Sequence, residues 1–280
     1  TSSTDKSNNP VTIVFRSDNT KPTLTLSYSP TSYTNDQVNI TVTGSDTYSG
    51  VKRIRLAGGS WTNGSTMTYA TTENGTYHFE IEDHAGNTNT KSITISNIER
   101  SKPDVTLLKN GGDWAHSHST TIHATDIGSG VNTIQYRFTT NSSFPTSDFT
   151  AISNGATVST PETTGKHYLH VIATDHAGNV TQFTSNVFKV DRSEPIVSLS
   201  TDGGTWAQDH TTKVDVTDNE AGLSTIEYRF TTSNSFPTSG FITITNGSFV
   251  DVPSSTGQHY LHVRATDNLG NVRKFTSNAF

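Results

Sequence analysis

Ala173-Thr174-Asp175-His176-Ala177-Gly178-Asn179 decides how this chain is read. The stretch returns as Ala265-Thr266-Asp267-Asn268-Leu269-Gly270-Asn271, and a third time as Ile81-Glu82-Asp83-His84-Ala85-Gly86-Asn87. Each copy follows one strand-like run and precedes another. The aspartate can cap the amides of its own turn, and the glycine supplies the positive φ that reverses the chain. Three copies of one hairpin turn imply three copies of one module.

Working outward, the second and third copies align without a gap at an offset of 92 residues. Pro103 maps onto Pro195, Trp114 onto Trp206, Asp126 onto Asp218 and Phe188 onto Phe280. Tyr136-Arg137-Phe138 maps onto Tyr228-Arg229-Phe230, and Phe144-Pro145-Thr146-Ser147 onto Phe236-Pro237-Thr238-Ser239. The first copy lacks that Phe-Pro-Thr-Ser insertion. Its runs Thr23–Leu26, Val38–Thr43, Val51–Leu56, Thr66–Ala70, Tyr77–Ile81 and Lys91–Ile95 read as strands separated by Gly- and Asn-rich turns. Short strands at this spacing indicate a sandwich or barrel. The modules are therefore placed at 22–98, 99–190 and 191–280. Residues 1–21 hold one further strand-like run, Val11–Phe15, read as the tail of an upstream module or as a strand pairing with the first module. Thr1 is expected to open a fragment or a mature piece.

Composition narrows the function. Hydrophobic residues make up 30%, which suits many small cores better than one large one. The 13 Phe and 9 Tyr argue against disorder. The net charge of −6 and the absence of a basic stripe exclude nucleic acid as an expected partner. No apolar run reaches the length of a membrane span. Cysteine is absent, so disulfides and thiol catalysis are excluded, and a bacterial surface suits a secreted chain of this kind. No nucleophile, zinc or phosphate-loop motif appears, and no enzyme is expected.

Asp126-Ile127-Gly128-Ser129-Gly130-Val131-Asn132-Thr133-Ile134 carries a second pattern: an aspartate closing one strand, a Gly-containing loop, and Gly-Val-x-x-Ile opening the next. Together with the Asp-x-x-Gly-Asn hairpin, this resembles the bacterial immunoglobulin-like modules of cell-surface, S-layer and secreted multidomain proteins. The resemblance covers residues 22–280. It implies an all-β chain of three tandem immunoglobulin-like β-sandwich modules. The short linkers Glu99–Pro103 and Asp191–Pro195, with one Pro and no Gly each, suggest an extended rod. The expected role is a non-catalytic stalk, adhesin or surface-layer segment, extracellular, whose partners are neighbouring modules of the same chain. The alternative is an accessory module that binds a polysaccharide or a surface protein.

In such a sandwich the loop after the second strand and the hairpin near the end share one pole, and the incoming linker meets them there. Each pole then gathers three carboxylates: Asp18 with Asp46 and Asp83, Glu99 with Asp126 and Asp175, Asp191 with Asp218 and Asp267. Three uncompensated carboxylates repel, and a hard cation with oxygen ligands relieves them. Calcium is the expected ion, with Asn179 or Asn271 and backbone carbonyls completing the shell. The competing expectation is that each aspartate caps a turn while Arg100, Lys102 or Arg192 neutralises the linker acid. His116, His118 and His123 cluster, but the third copy puts Gln208, His210 and Lys213 near or at those places, so no metal site common to both copies is expected and the histidines are read as solvated. Trp114 and Trp206 are expected to pack on a strand. A ladder of Tyr168, His170, Tyr260 and His262 on one outer strand face is the candidate surface for a sugar ring, or simply cross-strand packing.

Overall fold

A computed structural model describes residues 3–4, 10–11, 14–206 and 210–280. Among the described residues there is no helix, and so none long and apolar enough to cross a membrane. The chain divides into two compact units. One comprises Thr1–Pro103, Asp126–Asn132 and Thr174–Val180; the other comprises Asp104–Thr125, Thr133–Ala173 and Thr181–Phe280.

A short antiparallel ribbon comes first, β1 (Ser3–Thr4) with β2 (Pro10–Val11). Of the predicted strand Val11–Phe15, Val11 lies in β2, while Val14 and Phe15 are in no strand. Thr12 and Ile13 lie outside the described residues, and Val14 and Phe15 are exposed. Next come β3 (Thr23–Ser29), β4 (Val38–Ser45), β5 (Val51–Leu56), β6 (Thr62–Asn63), β7 (Thr66–Thr71), β8 (Gly75–Asp83) and β9 (Thr88–Ile95). They form one sheet in the order β3-β4-β7 and another in the order β6-β5-β8-β9. Period-2 alternation explains the layering. In β4, Val38, Ile40 and Val42 are fully buried, while Asn39, Thr41 and Thr43 face out. They meet Ile54, Phe79, Ile81 and Ile95 of the other sheet in one core. Trp61 lies under Arg53 and Arg55, whose guanidinium carbons sit 4.5 and 4.3 Å from its ring.

The next strands are β10 (Asp104–Leu107), β11 (Gly112–Ala115), β12 (Ser119–Thr125), β13 (Val131–Thr139), β14 (Thr150–Ile152), β15 (Thr157–Ser159), β16 (Gly165–Asp175), β17 (Val180–Thr184) and β18 (Phe188–Val190). Their sheets run β10-β12-β15 and β11-β18-β16-β13-β14, with β17 also on β16. The last group is β19 (Ile196–Leu199), β20 (Thr211–Thr217), β21 (Leu223–Thr231), β22 (Ile242–Ile244), β23 (Ser248–Asp251), β24 (Tyr260–Asp267) and β25 (Val272–Thr276). Its sheets run β19-β20-β23 and β22-β21-β24-β25 around Val214, Val216, Ile226, Leu261 and Val263. Trp114 is half-buried in β11, whereas Trp206 is 81% exposed and does not pack on a strand as expected.

The outer Tyr/His ladder is not the open face that strand parity suggested. His170 and His262 do point away from the core, but the Phe-Pro-Thr-Ser insertion folds back over them. Both have 0% exposure. His170 Nε2 meets Thr139 Oγ1 at 2.8 Å and its Nδ1 meets Thr184 Oγ1 at 3.0 Å, and its ring stands nearly perpendicular to that of Phe144 with the centroids 5.3 Å apart. His262 repeats this with Thr231 at 2.8 Å, Thr276 at 2.9 Å and Phe236 at 5.5 Å. Tyr168 and Tyr260 are half-buried beside them. These histidines anchor the insertion and offer no ring to a sugar.

Burial holds both imidazoles below their ordinary value of 6.5. The carbonyls of Asn141 and Ser233 oppose the shift in part, and the charges of Arg137 and Arg229 add to it. The unfolded imidazole takes a proton near 6.5, while the folded one resists. Their contribution to stability is therefore complete above that value and is lost as pH falls below it. The thermal midpoint is expected to drop between about pH 7.5 and about pH 5, and to drop less in the double variant His170→Gln, His262→Gln. Equal drops in both proteins would contradict this.

Candidate metal centres

Each hairpin turn is built by its own aspartate. Asp83 Oδ1 accepts from the Asn87 amide at 2.8 Å, Asp175 Oδ1 from Asn179 at 2.7 Å and Asp267 Oδ1 from Asn271 at 2.8 Å. Gly86, Gly178 and Gly270 stand at φ of 92°, 93° and 91°, the left-handed region that the turn requires. The other oxygen takes the asparagine side chain: Nδ2 donates to Asp83 Oδ2 at 2.7 Å, to Asp175 Oδ2 at 2.8 Å and to Asp267 Oδ2 at 2.6 Å. All three aspartates are at 1% exposure or less.

A second aspartate caps the loop after the second long strand of each group. The amide four residues on donates to it: Gly50 to Asp46 at 2.7 Å, Gly130 to Asp126 at 2.6 Å, Gly222 to Asp218 at 2.7 Å. The linker acid then reaches over this loop. Asp18 Oδ2 accepts from the Ser49 amide at 3.0 Å, and Asp191 Oδ2 from the Ala221 amide at 3.0 Å. Glu99 Oε2 accepts from Ser129 Oγ at 3.3 Å, while its Oε1 takes both the amide and the hydroxyl of Ser101. Glutamate carries one methylene more than the aspartates of the other two linkers. Gly128 makes room for it, since a Cβ there would stand 2.5 Å from Glu99 Cγ. Tyr48 and Glu220 occupy that place where the linker acid is the shorter aspartate.

The result is three triads: Asp18, Asp46 and Asp83; Glu99, Asp126 and Asp175; Asp191, Asp218 and Asp267. In each, one oxygen per residue lies within 4.8 Å of the others. All nine predicted acidic residues are thus brought together in the predicted groups. The first two triads lie within the first compact unit and the third within the second.

The competing expectation, a basic neighbour for the linker acid, is not what the structure holds. Arg100 Nε donates to the Asn35 carbonyl at 3.3 Å. Arg192 Nε donates to the His116 carbonyl at 2.8 Å, and its Nη1 lies 3.4 Å from Glu162. Among the described residues no lysine, arginine or histidine forms an ion pair with any of the nine carboxylates. Ser49 and the Thr20 amide hold the Asp18 carboxyl below its ordinary 3.8. Burial pushes Asp83 and Asp175 up, but the asparagine side chain and turn amides, with the neighbouring Glu99 carboxyl in the case of Asp175, outweigh it and leave both below 3.8. These three carboxyls are therefore ionised at neutral pH.

The donors fit a hard cation. They are all carboxylate oxygens, and an ion held at 2.3–2.6 Å from each accepts ligands up to roughly 5 Å apart. Asp46 Oδ2 is a buried oxygen without a hydrogen-bond partner, an arrangement that costs free energy unless something meets it. Asn179 and Asn271, expected as ligands through their oxygens, have a further part. Their Nδ2 groups donate, so they brace the aspartates. Asn87 and Asn179 also tie down the linker, donating to the carbonyls of Asp18 and Glu99, each at 3.1 Å. Sequence reasoning read the aspartates as turn caps but missed the asparagine bracing and the part of Ser129, and of Ser193, whose amide and hydroxyl meet Asp191 Oδ1 at 3.0 and 2.7 Å. The Asp-x-x-x-Asn spacing was the signal that could have found the bracing.

Residues 1–96 match the family described as Bacterial Ig-like domain (group 3), and residues 94–192 match the family described as Bacterial Ig-like domain. No curated protein matches the chain in sequence. Among solved structures, it is similar to one described under host cell surface retention of a 1.5-MDa bacterial ice-binding adhesin. That match has 15% identity, covers 94% of this chain and 98% of that one, and has a TM-score of 0.40. It is also similar to the fibronectin(III)-like modules of Clostridium thermocellum CbhA, with 15% identity, 60% and 94% coverage and a TM-score of 0.29.

Asn179→Ala removes the donor shared by Asp175 and Glu99 and leaves a buried carboxylate oxygen unmet. The variant is expected to lose roughly 1–3 kcal/mol of stability, read as a lower urea midpoint. An unchanged midpoint would show that the asparagine does not brace the turn.

Proposed function

From a chain whose residues 1–192 are bacterial immunoglobulin-like domains, we propose a non-catalytic spacer of a bacterial cell-surface or secreted protein. It is built of three such sandwiches in an extended rod, with calcium stiffening the joints. The carrying observation is the repeated triad: a linker acid brought against two loop acids three times over, with no ion pair to any of them among the described residues. Asp46 Oδ2, buried and unmet, supports the same reading.

The physical logic is direct. Each linker is tied to its loops by a few amide bonds, and those bonds hold the carboxylates together against their mutual repulsion. A bound cation would turn that repulsion into attraction, joining the linker, the loop cap and the hairpin turn through a single centre. Asp83, Asp175 and Asp267 would be the fixed ligands, since their turns hold them in place. Asp18, Glu99 and Asp191 would carry the linker to the ion. Extracellular modules commonly bind calcium at roughly 0.1–1 mM, a range in which an external medium keeps such joints loaded.

A ligand of the folded state stabilises it by about 2.7 kcal/mol per site at a hundredfold excess over its Kd. The thermal midpoint is therefore expected to rise by several degrees in millimolar calcium relative to EDTA. Asp83→Asn, Asp175→Asn and Asp267→Asn should each remove part of that calcium-dependent rise. Scattering in calcium should give a longer maximum dimension than in EDTA. Identical melts and scattering in the two media would overturn the proposal.

A further inference from the structure

Arg229, Arg264 and Lys274 surround the Phe-Pro-Thr-Ser insertion of the last group of strands, on the outer face of the sheet β22-β21-β24-β25. Arg229 on β21 stands opposite His262, and Arg264 on β24 stands opposite Lys274 on β25. Arg229 Nη1 donates to the Ser239 carbonyl within the insertion. The Arg264 guanidinium carbon lies 4.6 Å from the centre of the Phe241 ring, and Lys274 Nζ lies 5.7 Å from that of Phe236. The two rings stack with centroids 5.4 Å apart, and both are half-buried. Glu227 pairs with Arg264 at 2.8 Å. Among the described residues Arg229 and Lys274 form no ion pair.

The copy 92 positions earlier carries the same insertion on a neutral face. Gln135, Ile172 and Gln182 stand where Glu227, Arg264 and Lys274 stand. Arg137 repeats the Arg229 bond, donating to the Ser147 carbonyl at 2.6 Å, but it is also paired with Asp148 at 3.1 Å. Gly240 takes the place of that aspartate. At these five positions the earlier copy holds one arginine and one aspartate, and the later one holds three cations and one glutamate, so the face gains two positive charges. The insertion folds back alike in both. Phe144 stacks on Phe149 at 5.6 Å and meets His170 at 5.3 Å, as Phe236 meets His262 at 5.5 Å. The earlier copy thus holds its insertion down without counterparts of Arg264 or Lys274. The surplus charge stands out on a chain whose net charge is −6.

We propose that this face binds a polysaccharide whose sugars bear carboxylates. Arg229 pairs with a sugar carboxylate through its planar fork, and Lys274 meets a second as a point charge. The apolar face of a sugar ring packs beside the half-buried Phe236 and Phe241. The backbone argues for a sugar polymer over an acidic peptide. β21 and β24 are each hydrogen-bonded on both sides, so this face offers side chains only. An extended peptide takes its affinity from main-chain pairing at an open sheet edge, and the middle of this face has none. Neighbouring strands lie about 4.8 Å apart, so the charges on β21 and β25 stand roughly 10 Å apart across the sheet. That span suits successive charges of a linear polymer better than one small anion. The inference goes beyond a spacer role and needs no bound metal.

Affinity electrophoresis of the full chain in gels holding polygalacturonate, dextran or poly-glutamate tests it. EDTA is present throughout, so no shared ion can join the carboxylate triads to the polymer. Retardation is expected to be strongest in polygalacturonate and to fall as salt is added. The double variant Lys274→Gln, Gly240→Asp installs the residues of the earlier copy. Asp148 already stands at φ 60° there, against 74° at Gly240, so the backbone accepts the aspartate, and a Cβ at Gly240 would lie 2.9 Å from Arg229 Nη1. This variant is expected to bind polygalacturonate roughly three- to tenfold more weakly. Lys213→Gln, on the other sheet, should bind as the parent chain does. No retardation by polygalacturonate, equal retardation by poly-glutamate, or undiminished binding by the double variant would overturn the proposal.

Discussion

Three carboxylates held within 4.8 Å of one another, with no ion-pairing basic side chain among the described residues, are the constraint around which this chain is built. Like charges at such distances repel strongly. The fold tolerates them because turn and loop amides donate to at least one oxygen of each aspartate, and because the acids belong to three different parts of the backbone. A linker acid, a loop cap and a hairpin cap meet only when the strands on either side are in register. The triad is thus both a product of the fold and a stress upon it. That stress is what the cation of the proposed function would relieve.

The local chemistry beneath each triad is economical. One aspartate and one asparagine four residues apart make the hairpin turn, and the same asparagine ties down the linker in two of the three cases. One aspartate and one glycine four residues apart make the loop. The pairing of Glu99 with Gly128 shows how tightly linker and loop are matched. The longer acid occurs where the loop has shed its side chain, and the shorter acids where it has not. An exchange at one of these two positions alone would break the fit.

Much of this was legible in the sequence. Strands with alternating Val, Ile and Thr, such as Val38–Ser45, could be read from their period because one face is buried and the other wet. The nine acids could be grouped because the turn motifs recur at a fixed offset and the fold class sets which loops share a pole. What could not be read was how long loops fold back. His170 and His262 have the parity of an outer face, yet the insertion carrying Phe144 or Phe236 covers them. Nothing in the local pattern reveals such a tertiary contact. The basic residues Arg100 and Arg192 were equally ambiguous, since a flexible arginine beside an acid in sequence can find a better acceptor elsewhere. Here both take backbone carbonyls.

The most direct measurement is the number of calcium ions bound per chain, by equilibrium dialysis against the labelled ion at neutral pH. Ions held by the triads would saturate at about three per chain, and Asp267→Asn would bring that to about two by removing one inner carboxylate. No saturable binding up to millimolar calcium would contradict the metal-centre reading and leave the nine carboxylates as turn caps alone.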